Sequence, residues 1–129
     1  MLITSIPQYI QGLTNAKVDL TNTNDTVLYT APSDSDFNDS VVSSLLVSND
    51  SGSADTITVT LISGSDTFSV YKLEEVGALS TKELLTNDLI MQGGEVLKVQ
   101  AATGARLHVI ASIQELNKTR ITTSALTNI

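Results

Sequence analysis

Asp55-Thr56-Ile57-Thr58-Val59-Thr60-Leu61 alternates without a fault: Ile57, Val59 and Leu61 share one face, and Thr56, Thr58 and Thr60 share the other. A period of two is that of a strand with one face in a core and one in water. The same pattern recurs in Leu107, Val109, Ala111 and Ile113 around His108 and Ser112, and in Leu97, Val99 and Ala101 around Lys98 and Gln100. One slip in register would invert all of these assignments, so they form a single linked expectation. Ile57, Val59, Leu61, Leu97, Val99, Leu107 and Val109 should be buried, with Thr58 and His108 on the opposite faces.

Further strands are expected near 16–20, 26–31, 41–49, 67–73, 81–85 and 89–91, separated by turns rich in Asn, Asp, Ser and Gly. Examples are Asn49-Asp50-Ser51-Gly52, Ser63-Gly64-Ser65-Asp66 and Gln92-Gly93-Gly94. Short strands at this spacing predict an all-β chain, an antiparallel, jelly-roll-like β-sandwich of about eight strands. The predicted organisation is an N-terminal arm over 1–14, a sandwich domain over 15–114 and a C-terminal arm over 115–129. Ser80 and Glu83 have capping-box spacing, but the segment is short for a helix and reads as strand.

Val41-Val42-Ser43-Ser44-Leu45-Leu46-Val47 does not alternate. Apolar residues at both parities suggest a strand covered on both faces, either by a neighbouring element or by a partner subunit. The arms carry aliphatic residues with no evident place in a sandwich core. The predicted interface therefore comprises Leu2, Ile3, Ile6, Tyr9 and Ile10, Val42 and Leu46, and Leu116, Ile121, Leu126 and Ile129.

With 129 residues, one domain of ordinary size is implied. Ser and Thr make up about a quarter of the chain, which favours strands and turns. Cys is absent, so disulfides and thiolate metal sites are excluded. The formal net charge is -7, and no Lys or Arg occurs between Asp19 and Tyr71. An acidic surface repels phosphate backbones, so no nucleic-acid partner is expected. Neither a signal-peptide pattern nor an apolar run of bilayer-spanning length is present, which leads to an expectation of synthesis in cytoplasm and of no membrane partner.

Reactive constellations are missing from the sequence. His108 stands alone, without a second His or any Cys, and reads as an ordinary surface or interface residue. Asp34-Ser35-Asp36-Phe37-Asn38-Asp39 begins like a calcium loop, then places Asp39 where the turn glycine belongs and Leu45 where the bidentate Glu belongs. Asp34, Asp36 and Asp39 remain only a weak candidate for an irregular Ca²⁺ site beside the plainer reading of a solvated acidic turn. No catalytic residue, cofactor or enzymatic activity is expected. Sugar-binding sandwiches usually offer flat aromatic platforms; this chain has no Trp, and Tyr29 and Phe68 read as core.

The order of certain segments is distinctive. Val18-Asp19-Leu20 precedes the strand end Tyr29-Thr30-Ala31-Pro32 and its long loop. An Asn49-Asp50-Ser51-Gly52 turn joins two strands, and Leu89-Ile90-Met91-Gln92-Gly93-Gly94 precedes Glu95-Val96-Leu97. Over about residues 16 to 113 this order resembles that of small β-sandwich virion proteins of tailed phages, cyanophages included. The resemblance implies a capsid decoration (cement) protein on the outer surface of the head, with the major capsid protein as partner. It also implies a homo-oligomer, expected as a trimer at three-fold positions. A neck, tail or baseplate-associated subunit is the alternative within that class, and a carbohydrate- or host-surface-binding module the alternative outside it. The acidic loop from Ser33 to Ser40 departs from the pattern.

Overall fold

A computed structural model describes residues 10–33 and 39–116, and every regular element in it is a strand. In chain order these are β1 (Ile10–Leu20), β2 (Thr26–Thr30), β3 (Asp39–Asn49), β4 (Asp55–Ser63), β5 (Asp66–Val76), β6 (Ser80–Glu83), β7 (Leu89–Gln92), β8 (Val96–Ala101) and β9 (Leu107–Leu116). One antiparallel sheet runs β1-β9-β3-β6, with β7 also on β3, and the other runs β2-β8-β4-β5.

β6 and β7 occupy the same edge of β3 in succession, at Leu46–Asn49 and Asp39–Val42 respectively. Counted as one interrupted strand, they leave eight strands whose sheet orders are 1-8-3-6 and 2-7-4-5. That is the order of a jelly roll, two Greek keys folded face to face. The expected sandwich is therefore present, with its core between the sheets. Ile57, Val59, Leu97, Val99, Leu107 and Val109 are fully buried, and Leu61 packs partly buried against them.

Three expectations change in detail. β1 begins at Ile10 because Leu13 to Leu20 pair residue for residue with Gln114 to Leu107, so residues 10–14 and 115–116 belong to the sheet and not to arms. Within the chain, Val41 to Val47 is covered on one face only. The β3–β9 register slips between Val42 and Ser44, and this bulge of one extra residue reverses the parity of the strand. Ser40 and Val42 face the core before it, and Leu45, Val47 and Asn49 after it. Phe68 is exposed, because the first four residues of the edge strand β5 all lie outside the sandwich's cover.

The interruption between β6 and β7 has its own local solution. The Glu83 carboxylate accepts the Ser44 hydroxyl and the amides of Leu45 and Leu85, and the Leu84 amide donates to the Leu45 carbonyl. Burial acts to raise the Glu83 pKa, but these hydrogen bonds outweigh it and leave the pKa below the ordinary 4.5. A depressed folded-state pKa stabilises the fold above the unfolded value and loses that contribution as pH falls through the folded one. Glu83→Gln should therefore lower stability at pH 7 by about 1 kcal/mol, a modest figure because the side chain is largely exposed. It should also flatten the acid limb of the stability profile below pH 4.5. Urea midpoints across that range check both effects; wild-type midpoints at pH 7 would show the carboxylate to be idle.

Two tyrosines tie the sheets together. The Tyr29 hydroxyl on β2 reaches Ser40 and Glu115 on the opposite sheet, and the Tyr71 hydroxyl on β5 donates to the Leu84 carbonyl. Burial and the Glu115 carboxylate push the Tyr29 phenol up to about 12, so it stays a donor.

Candidate interaction surface

The outer face of the five-stranded sheet follows directly from the register. Moving from β1 to β9 to β3 to the far edge, its rows read Asp19-His108-Ser48-Thr81, Lys17-Ile110-Leu46-Glu83, Asn15-Ser112-Ser44 and Leu13-Gln114-Val41-Ile90. Leu13 is 76% exposed and Ile90 63%, with Ile110 and Leu46 at 43% and 36% between them. Period-two alternation puts core residues on the inner side of these strands. Most outer positions are polar, but Leu13, Val41, Leu46, Ile90 and Ile110 place aliphatic groups where a solvated face would carry polar ones.

At one end of this face His108 is enclosed by carboxylates. Its Nε2 lies 3.3 Å from Asp19 Oδ1 and its Nδ1 3.9 Å from Asp50 Oδ2. Ser48 is in register with His108, so the row places Ser, His and Asp side by side. The row is not a nucleophilic triad, which needs one imidazole nitrogen on the hydroxyl. Both nitrogens here face carboxylates. Chemically the group is a surface polar cluster of one imidazole and two carboxyl groups at the edge of an apolar patch.

Further exposed apolar side chains stand separately on the other sheet and the turn beyond it. Phe68 and Leu73 on β5, and Leu79 between β5 and β6, are 55%, 59% and 75% exposed. Leu73 and Leu79 hold left-handed backbone, with φ of 54° and 53°. For a leucine that conformation costs about 1–2 kcal/mol relative to the right-handed one. The fold therefore carries strain at two exposed aliphatic side chains, a combination associated with contact sites.

The residues singled out from the sequence divide clearly. Leu46 lies on the outer face, whereas Val42 is fully buried in the core and is withdrawn from the interface set. Ile10 and Leu116 are paired at the ends of β1 and β9. Leu2, Ile3, Ile6, Tyr9, Ile121, Leu126 and Ile129 lie outside the described residues, as do Asp34 and Asp36. Asp39 opens β3, and no cluster of metal-ligating side chains occurs among the described residues. Sequence reasoning missed Leu13, Ile90 and Ile110. Ile110 was within reach, because parity alone puts this aliphatic residue on the side of His108 and Ser112. Phe68 is the only strongly exposed aromatic ring among the described residues, since Tyr29 and Tyr71 turn their hydroxyls to the core's edges.

No protein-family model and no curated protein matches the chain. Among solved structures it is similar to a pentameric capsid protein isolated from metagenomic phage sequences. One crystal structure of that protein gives 18% identity, a TM-score of 0.43 and coverage of 79% of this chain and 64% of that one. A second gives 16%, 0.45, 88% and 65%. It is also similar to a structure of the infectious bursal disease virus Gx strain, at 11% identity and a TM-score of 0.30, covering 96% of this chain and 41% of that one. The chain thus spans just under two thirds of the length of the phage capsid proteins it matches.

Proposed function

We propose that this chain is a structural subunit of a phage virion, a capsid decoration protein that binds the outside of the head and bridges neighbouring major capsid subunits. The observation that carries the reading is the display of apolar side chains on a rigid sandwich whose described residues assemble no reactive group. The exposed, strained Leu73 and Leu79 are the anchors that meet the head. The jelly roll is a frequent architecture of viral capsid and lectin domains, which agrees with the reading. The ordered segments from Val18 to Val99 add the resemblance to small virion proteins. Binding the mature shell and not the disrupted one stabilises the shell by mass action.

The strain at Leu73 and Leu79 provides a test that separates binding from folding. Purified chain added to expanded heads lacking it should raise the temperature at which the shells break open. Leu73→Gly with Leu79→Gly relieves the left-handed strain while removing two anchors. This variant should melt no lower than wild type, yet bind heads at least tenfold more weakly. Undiminished binding by the double variant would remove these two leucines from the contact. Wild-type chain that binds no shell would end the decoration reading.

A further inference from the structure

We infer that the outer face of the five-stranded sheet pairs with the same face of a second copy of this chain, about a two-fold axis lying in the contact plane and parallel to the strands between β9 and β3. The row Lys17-Ile110-Leu46-Glu83 crosses the whole sheet with a cation at one end, an anion at the other and two aliphatic residues between. Lys17 makes no hydrogen bond or ion pair with any described residue.

Rotation about that axis reverses the order of each row. Lys17 of one copy then meets Glu83 of the other, and Ile110 meets Leu46. In the row at the other end of the patch Leu13 meets Ile90, and Gln114 meets Val41. In the row at the charged end Asp19 meets Thr81 and His108 meets Ser48, so no like charges are opposed in these rows. A two-fold axis perpendicular to the strands through the middle of the patch fails the same inspection: it would set Asp19 on Leu13 and Lys17 against Asn15, leaving both charges unpaired. Charge complementarity thus selects both the occupant and the axis. Aligned sheet-on-sheet packing accommodates strands within about 30° of parallel, which suits this arrangement.

The available area sets the strength. Four strands about 4.8 Å apart and seven residues of about 3.4 Å rise give a face of about 450 Å² per copy. The total of about 900 Å² lies between ordinary crystal contacts and stable complexes. The pair is therefore weak in dilute solution and forms where copies are concentrated. It is two-fold and isologous, in place of the three-fold association expected from the sequence. The contact is argued from this face alone and stands apart from the head-binding reading.

The absence of Cys makes the test direct. Leu13→Cys with Ile90→Cys places thiols on opposite edges of one sheet, three strand spacings or about 14 Å apart, too far for a bridge within one chain. Across the proposed axis they face each other twice. Mild oxidation of the full-length variant at concentrations spanning micromolar to millimolar should yield a covalent dimer by mass, without a ladder of larger species. Lys17→Glu in the same background should cut the yield at least fivefold. Persisting monomer with free thiols, an open-ended ladder, or a dimer indifferent to Lys17→Glu would each overturn the proposal. Far-UV circular dichroism of each variant confirms that the sandwich is intact.

Discussion

Asn49→Asp is expected to destabilise the protein by about 3–5 kcal/mol, a large part of the 5–15 kcal/mol that holds a domain together. Asn49 ends β3 and is 2% exposed. Its Nδ2 donates to the carbonyls of Ser53, at 2.8 Å, and Val76, at 3.1 Å. Its Oδ1 accepts the Ser51 amide, at 2.9 Å, and the Ser51 hydroxyl. One amide group thus closes the turn after β3 and fastens it to the end of β5 in the opposite sheet. An aspartate keeps the acceptor and replaces the donor with a second acceptor, aimed at two carbonyl oxygens in a buried site. The charged form is disfavoured there, so the carboxyl should titrate above its ordinary range and the penalty should grow as pH rises through it. Chemical denaturation at pH 4 and pH 8 measures both parts. A variant as stable as wild type at pH 8 would show that this network is replaced by water.

A contrast between two adjacent leucines follows from the bulge in β3. Leu45→Ala removes a fully buried side chain opposite Ala111 and should cost about 3–4 kcal/mol, the transfer term plus the cavity left behind. Leu46→Ala, one residue along on the outer face, should cost less than about 1 kcal/mol in dilute solution, where the face is free. Differential scanning calorimetry of the two variants side by side reads the parity of the strand. Equal losses would mean that β3 is covered on both faces by neighbouring elements of the same chain, one of the two readings its sequence allows.

That pair also shows where the sequence was legible. β4, β8 and β9 obey strict alternation, so their buried residues could be named from the pattern. In β3 a single extra serine shifts the pattern by one, and without the register of β9 the apolar residues at both parities look like two buried faces. β1 was read short because Gly12-Leu13-Thr14-Asn15 has no alternation of its own; its pairing with β9 supplies what local pattern lacks. The surface was harder to find than the core. Leu13, Val41, Leu46, Ile90 and Ile110 come from four strands, and only sheet order brings them onto one face. Glu83, spaced from Ser80 like a capping-box residue, instead completes a broken strand edge, a role defined entirely by what β3 presents to it.

A repeating component of a virion head is present in many copies per particle. Quantitative mass spectrometry of purified particles gives that number as the ratio of this chain to the major capsid protein. Hundreds of copies per particle are expected, lost together when the head surface is stripped. A dozen copies or fewer would place the chain in a neck or tail, and its absence from purified particles would contradict the virion reading altogether.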